Sequence, residues 1–478
     1  MLSMEIKDLS SYAELEALNL QFKEKQLAHK PQDELKEQVI KFLNDDKRIK
    51  AVTIAFTDLE GRFHTIDYDK KFFVKSYDNL TFDGSSIRGF SQVKESDLRL
   101  QMDWGAFRLL PPDVFGPGKV LLFGLINDRG QGTYPADFRG LLKDLTTQLW
   151  NKDKTVMSVA VELEGFLFAG INAEQEYSSR NGFKFASLSG YYNSLPQSPL
   201  RLFIDKFAEV QRAMGFENEK DHPEVAPAQF ELNYSHCDAL VSADQVQLYK
   251  LIARQVAANM GMTACFLPKP VADINGNGMH TNMSLSRGGK NLFYAKDGQD
   301  GLSDAGWNFV DRILNNANDL CLIFNPSVNA YRRLDPHYEA PNQIKSSAID
   351  RTSMIRIPLA NEKSARVEVR SVAPDCNPYM TFYALFKTGI EGPMTETLDS
   401  ESRRTRTRFL PSNIHDAIRH FKGSAWLTSL LGEDVQTKFV DLKQMTADRC
   451  PKLLGHMVKT TEILFHHDVT NQYIWGRF

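Results

Sequence analysis

Along four short stretches of this chain, apolar and polar side chains alternate with a period of two. Around residues 157–168, Met157, Val159, Val161, Leu163 and Leu167 take one parity, and Glu162 and Glu164 take the other. Gln229, Glu231 and Asn233 oppose Phe230, Leu232 and Tyr234 in the same way. His280, Asn282 and Ser284 oppose Met279, Met283 and Leu285, and Arg366, Glu368 and Arg370 oppose Ala365, Val367 and Val369. Successive strand residues point to opposite faces, so residues two apart share one face at roughly 6.5 Å. The pattern predicts four half-buried strands, each with a polar face.

Elsewhere the spacing is helical. Residues 11–45 carry Leu15, Leu18, Leu20 and Phe22, then Leu35, Val39, Ile40 and Leu43, interrupted at Lys30-Pro31-Gln32-Asp33. This predicts two amphipathic helices, with Pro31 just inside the second. Residues 49–68 read as a hairpin turning at Asp58-Leu59-Glu60-Gly61, and more strand-like pieces, among them 120–128, follow a polar loop at Asp83-Gly84-Ser85-Ser86. From Pro135 on, helical segments at 135–152, 242–261 and 304–325 alternate with the polar-faced strands. The last hundred residues read as mostly helical, with the charged stretch 400–409 a solvated connection. The chain therefore divides into a helical extension (1–34), a small mixed domain (35–134) and a larger domain (135–478). With no repeat or low-complexity tether between them, the two domains are expected to pack tightly.

Composition narrows the function class. With 478 residues, 42% hydrophobic and 24% charged, the chain has enough apolar side chains for a sizeable core and is not a disordered type. A net charge of −3, from 57 basic and 60 acidic residues, leaves no footprint for nucleic acid or an anionic membrane. Cys237, Cys265, Cys321, Cys376 and Cys450 are scattered singly, which points to reduced thiols and a cytoplasmic setting. The polar, acidic start is unlike a signal peptide, and no apolar run is long enough to span a bilayer.

The chemistry sits on the alternating segments. If the four strands share a sheet, one polar face collects Glu162, Glu164, Glu231, His280 and Glu368, with Glu224 nearby. Five carboxylates repel one another unless cations neutralise them, and an oxygen-rich set with one imidazole suits Mg²⁺ or Mn²⁺. A single glutamate on an alternating strand is more simply a solvated one. Four such strands with the motifs around them favour a metal centre.

Taken in order, those motifs resemble the glutamine synthetase family, and within it the bacterial and archaeal type I form. FDGSSIRGF followed by Glu95-Ser96-Asp97 resembles the family's N-terminal signature, VELEGFLF its paired-glutamate strand and HPEVAPAQFEL the segment with two more metal glutamates. PKPVADINGNGMHTNMSL resembles the glycine loop with the metal histidine, and NPSVNAYRRLDPHYEAP the substrate arginine and mobile flap. RTSMIRIP and ARVEVR resemble the phosphate-facing arginines and the last metal glutamate. The resemblance runs from about residue 50 to 380.

It implies an α+β fold: a small β-grasp-like domain and a larger catalytic domain whose curved antiparallel sheet carries the metals. It further implies an ATP-dependent ligase that phosphorylates the γ-carboxylate of glutamate and lets ammonia displace the phosphate. By resemblance, Glu164, Glu224 and Glu231 hold the ion near the substrate, and Glu162, His280 and Glu368 the ion on the nucleotide phosphates. Arg333 and Arg370 match the arginines gripping glutamate, and Asn275 and Gly276 the loop that meets it. Arg351, Arg356 and Arg366 match those facing the γ-phosphate, and Ser284 lies on the nucleotide side. Asp83 matches the general base, with Asp97, Tyr191, Ser86 and Glu339 completing an ammonium pocket. In the family, Asp83 arrives from a neighbouring subunit, and the assembly is a dodecamer of two six-membered rings.

Some positions depart from the family pattern. Pro223 stands where a second histidine often precedes the metal glutamate, Asn282 where a histidine usually follows His280, and Ala228 where glycine is common. These fall near the nucleotide side and leave two rivals: a γ-glutamyl-amine ligase taking an organic amine, and a non-catalytic relative. Retention of Asp97, Glu339 and Tyr191 favours ammonium over an organic amine.

Overall fold

The computed structural model describes residues 11–454 except 88, 92–96, 129–131, 178–181, 194–196, 335–339 and 395–407, and from 449 on only the backbone path. Two helices open it, α1 (Tyr12–Leu27) and α2 (Gln32–Asp45). Ser11 caps α1 by accepting from the Glu14 N–H. Pro31 stands one position outside α2, at its N-cap, rather than just inside as the sequence suggests.

Five strands follow in the first sheet: β1 (Ala51–Thr57), β2 (Phe63–Asp69), β3 (Leu80–Asp83), β4 (Asp97–Leu109) and β5 (Lys119–Asn127). Their order is β2-β1-β5-β4-β3, with β1 and β5 parallel and the other pairs antiparallel. The expected hairpin is β1–β2. Its turn needs Gly61 at φ +85°, and a Cβ there would come within 2.6 Å of the Asn377 backbone. Asn377 in turn donates to the carbonyls of Asp58 and Leu59, so the hairpin turn is docked on the second half of the chain.

That half is built on a ten-stranded sheet with the path β13-β14-β15-β11-β6-β8-β7. The strands are β6 (Thr155–Ala169), β7 (Asn218–Pro223), β8 (Gln229–Tyr234), β9 (Cys237–Asp238), β10 (Met262–Cys265), β11 (Met279–Arg287), β12 (Lys290–Asn291), β13 (Gln343–Ser347), β14 (Ser353–Arg356) and β15 (Val367–Val369). All pairs are antiparallel except β13–β14. The four alternating segments are thus β15, β11, β6 and β8, consecutive neighbours in one sheet.

Burial departs from a simple half-wet sheet. Through Leu163, β6 alternates buried and half-buried residues, but β8 is buried on both faces and Glu368 is fully buried. Behind the sheet the helix Ala239–Asn259 is enclosed over most of its length. The helical pattern at 304–325 breaks at Asn316 into Asp304–Asn315 and Ala317–Phe324. The Asn316 side chain donates to the carbonyls of Arg312 and Pro393, offering the backbone an alternative to continuing the helix.

Further contacts join the halves. Asn19, on α1, donates to the carbonyls of Leu109 and Ala213 and accepts from the Leu109 N–H, tying β4 to the helix Pro199–Ala213. Arg139 pairs with Asp103 at 2.9 Å and Asp244 at 2.7 Å, while Lys143 also holds Asp103 and Tyr379 donates to Asp244. Among the described residues no helix is long and apolar enough to cross a membrane.

Candidate active site

Register decides what meets on the sheet. It sets His280 opposite Glu162, Glu368 opposite both Asn282 and Arg356, and Glu164 opposite Glu231. Two groups of potential ligand atoms result, each mutually within 4.8 Å: Glu162–His280–Glu368 and His222–Glu224–Glu231. The first is the expected nucleotide-side set. The second contains Glu224 and Glu231 of the expected substrate-side set, with His222 beside them. Glu164 faces Glu231, with one oxygen accepting from the Gly278 N–H at 2.6 Å.

The electrostatics of the two groups differ. Burial pushes Glu162 up, but the hydrogen bond and charge of His280 and a bond from Asn282 prevail and bring it down to about 2. Burial and the charge of Glu164 push Glu224 up to about 7. Burial, then Glu164, Glu162 and Glu224, hold Glu231 well above the usual carboxylate range. Carboxylates forced upward by one another are the mark of a site that lacks compensating positive charge. The hard oxygen donors and an imidazole in each group fit divalent cations of the Mg²⁺ or Mn²⁺ type. The buried His222 Nε2 without a hydrogen-bond partner among the described residues fits the same conclusion.

The arginines surround these groups unequally. Arg356 and Arg370 grip the two oxygens of Glu368 at 3.0 and 2.7 Å. Arg333 is buried, donates to the carbonyls of Val372 and Arg370, and lies 3.4 Å from His280 Nε2. Burial pulls it down to about 10 against the charge of Glu164. Arg366 donates to Asn282 Oδ1, whose amide donates on to Glu162 at 3.1 Å. Arg351 lies exposed in the turn between β13 and β14.

The glycine loop is close-packed over the site. A Cβ on Gly276 would come within 2.3 Å of the Pro268 carbonyl, and one on Gly278 within 2.6 Å of Arg333 and 2.8 Å of His280. Asn275 is half-buried beside Gly276, whose carbonyl accepts from Gln229. On the other side a cavity of about 380 Å³ is lined by Glu162, Asn282, Ser284, Lys363 and Arg366, among others.

The expected ammonium group is divided. Asp83 and Asp97 are cross-strand partners at the β3–β4 edge of the first sheet, both exposed. Asp83 accepts from the side chains of Ser85 and Ser86, which hold its pKa below the usual value. Tyr191 lies instead by the second sheet, its ring stacked on Tyr192 at 3.9 Å and edge-on to His222 at 6.0 Å. Glu339 lies outside the described residues.

Sequence reasoning missed His222 and Tyr192. A signal for the first is present in the sequence, since His222 precedes Glu224 by two, the spacing of same-face residues on a strand. Gln229, on the polar face by its parity, ties the loop together by donating to Gly276, Asn277 and, at 3.5 Å, Glu164.

The chain is similar to known proteins over most of its length. The model of the glutamine synthetase β-grasp domain matches residues 48–123, and that of the glutamine synthetase catalytic domain matches residues 135–455. A glutamine synthetase of Thermus thermophilus is 33% identical over 441 residues, covering 86% of this chain and 95% of its own. One of Methanosarcina mazei is also 33% identical, over 431 residues, with 86% and 94% covered. Among solved structures, a GmaS/ADP complex superposes with a TM-score of 0.75 at 27% identity, covering 89% of this chain and 99% of that one. In fold alone, the glutamine synthetase of Plasmodium falciparum is similar, with a TM-score of 0.77 at 20% identity over 89% and 98% of the two chains. With an α+β fold, a β-grasp domain and the catalytic domain both matched, this chain is an enzyme of the glutamine synthetase family.

Proposed function

We propose that the enzyme uses ATP to join ammonia to the γ-carboxylate of L-glutamate, through γ-glutamyl phosphate, giving glutamine, ADP and phosphate. The observation that carries this reading is two carboxylate–imidazole groups side by side on one sheet, flanked by Arg333, Arg356, Arg366 and Arg370. Phosphoryl transfer needs positioning and positive charge more than covalent help from the protein. Glu162, His280 and Glu368 would hold one divalent cation, and Glu164, Glu224 and Glu231 the other. When bound, such ions neutralise the phosphate oxygens and draw charge off the leaving group.

The chain's own residues do the rest. Arg333 and Arg370 would take the carboxylates of glutamate. Arg333 is already locked in plane by two backbone carbonyls, and the buried Nε of Arg370 has no partner among the described residues. Asn275 and Gly276 would bear on the same substrate, because the Gly276 backbone can approach where no side chain fits. Arg351, Arg356 and Arg366 would face the transferring phosphoryl group, with ATP in the cavity beside Ser284. The similarity to a GmaS/ADP complex over most of the chain supports an adenine nucleotide there.

Asp83, kept ionised by its serine donors, would accept the proton that ammonium must lose. Asp83, Ser86 and Asp97 belong to the first sheet, and no hydrogen bond or ion pair among the described residues joins them to the carboxylates of the second. This supports their delivery by a neighbouring subunit to Tyr191 and Glu339, within an assembly of two stacked six-membered rings.

One observation favours a second reading. Tyr191 and Tyr192 are 51% and 59% exposed, so the acceptor side has open aromatic faces on which an organic ammonium could rest. The test is phosphate release from ATP with glutamate and Mg²⁺ or Mn²⁺, comparing ammonium with a panel of primary amines. Ammonium-dependent release yielding glutamine is expected. Release only with an organic amine would make the enzyme a γ-glutamyl-amine ligase, and none with any acceptor would overturn both.

A further inference from the structure

Away from the candidate active site, a cavity of about 480 Å³ lies where the opening helices meet the second half of the chain. None of the residues proposed for the reaction lines it. One wall is the turn joining α1 to α2, a segment that precedes both stretches matched by the glutamine synthetase models. Contacts on either side hold this turn. Lys25 donates to Gln38 at 2.7 Å, and the Gln32 side chain accepts from the Trp104 N–H of β4 at 2.9 Å. His29, at φ +51°, lays its ring on Trp150 of the helix Phe138–Asp153, 4.2 Å away and 18° from parallel. Walls fixed in this way leave the space preformed, and its volume is that of a small-molecule site.

The lining carries charge of both signs. Asp103 accepts from Lys143 with one oxygen and from Arg139 with the other. Lys143 gives that carboxylate one of its three hydrogens, at 2.7 Å, and its side chain stays 20% exposed. Asp238 caps the helix Ala239–Asn259 through the Leu240 N–H, and burial raises its pKa to about 6. At neutral pH it is a carboxylate that a nearby cation would stabilise. Asp144 adds an exposed carboxylate and Lys30 an exposed ammonium, while Leu27, Leu125 and Leu240 contribute apolar surface. A purely anionic ligand would meet Asp238 and Asp144, and a purely cationic one Lys143 and Lys30. The complementary molecule carries one charge of each sign on a short aliphatic frame.

We propose that this cavity binds a small zwitterion of the free amino-acid class, its carboxylate on Lys143, its ammonium on Asp238 and its side chain on the leucines. The site does not depend on the reaction proposed above. It touches the catalytic sheet through Asp238, which lies on β9 opposite Ser158 of β6, the strand that carries Glu162 and Glu164. An occupant therefore bears at once on the opening helices, on β4 through Asp103 and on the strand of the candidate metal groups.

The test is calorimetric titration of the full-length, ion-free protein with each common amino acid, and with the N-acetyl and carboxamide forms of any that binds. One molecule per chain is expected, bound roughly 10–100-fold more weakly by Lys143→Met and by Asp238→Asn, as the loss of a charged hydrogen bond requires. Forms lacking either charge should fail to bind. Thr147→Trp, at an exposed position on the lining, should abolish binding by filling the space without removing a charge. Hydrogen exchange of the wild type should slow at residues 26–32 when the amino acid is added. Binding that survives Thr147→Trp would lie elsewhere, the glutamate site included, and would overturn the proposal. So would equal binding of the singly charged forms, unchanged exchange at 26–32, or no amino acid bound more tightly than about 1 mM. The exchange measurement needs no variant, so a misfolded Lys143→Met does not shield the proposal. Phosphate release reads the proposed function separately, and either can fail alone.

Discussion

The molecule buries two collections of charge and treats them in opposite ways. At the junction of its halves, Arg139 lies between Asp103 and Asp244, Lys143 holds Asp103 again and Tyr379 donates to Asp244. The Arg139 guanidinium also lies 4.8 Å from the Phe123 ring. There the positive partners hold Asp103 well below its ordinary pKa despite complete burial. On the second sheet, Glu164, Glu224 and Glu231 face one another, and two of them are driven upward. One cluster is complete within the chain. The other is left short of positive charge, and that deficit is what a divalent ion can offset.

Breaking the complete cluster should have the largest effect. Arg139→Ala leaves Asp103 and Asp244 buried with half their partners, a loss of about 3–5 kcal/mol. Urea denaturation of the ion-free protein measures it. A loss below about 1 kcal/mol would mean that water replaces the guanidinium and that the cluster is less dry than its burial indicates.

The uncharged tie between the halves comes next. Asn19→Ala strands the Leu109 N–H and two carbonyls on separate elements, which costs about 2–3 kcal/mol at the usual price of buried unpaired groups. Hydrogen exchange should report the loss first at β4 and at the helix Pro199–Ala213. Uniform loss of protection would instead make α1 part of one cooperative unit with the whole fold.

These two clusters also mark what the sequence can and cannot reveal. β6 was legible because burial on a single face writes itself as alternation, from Met157 to Leu163. β8 obeys the same parity, yet both of its faces are buried, so the pattern told its direction but not its environment. That the four strands are neighbours follows from pairing, which no local pattern encodes. The junction was invisible because Asp103, Arg139, Asp244 and Tyr379 come from four elements far apart in the chain, each plausible as a surface residue on its own. His222 was hidden for a different reason: its meaning comes from a strand partner, Glu231, which its own segment does not encode.

Removing charge from the deficient cluster should reverse the sign seen at the junction. Glu231→Gln keeps the volume and can still accept from Asn233, but removes one of the mutually repelling carboxylates. The ion-free protein should gain about 1–2 kcal/mol at pH 8, less at lower pH, since one pKa unit is worth about 1.4 kcal/mol. The same variant should lose most of the thermal stabilisation that Mn²⁺ gives the wild type. A loss of stability without ions would place Glu231 in a structural bond rather than in a repelling set.

The pH dependence of the ion-free protein takes its sign from the same carboxylates. Glu224 has a folded pKa of about 7, against an unfolded value near 4.3. A raised carboxylate means that the folded state holds its proton more tightly than the unfolded state. Its contribution is fully present below about pH 4.3 and is lost as the pH rises through about 7. Stability should therefore fall across that window by at most about 4 kcal/mol, and by less because solvent reaches the group. Other buried groups titrate nearby: Asp137 and Asp375, both raised by burial to about 6, add to the slope, and His29, lowered by burial and by Lys154, opposes it. None of these belongs to the ion-binding groups, so the difference between melting curves with and without Mn²⁺ isolates the site. The ion-free curve should descend between pH 5 and 7.5 more steeply than the loaded one, since an occupied site keeps its glutamates ionised in both regimes. Parallel curves would mean that the cluster's charge is already balanced within the chain, as it is around Arg139.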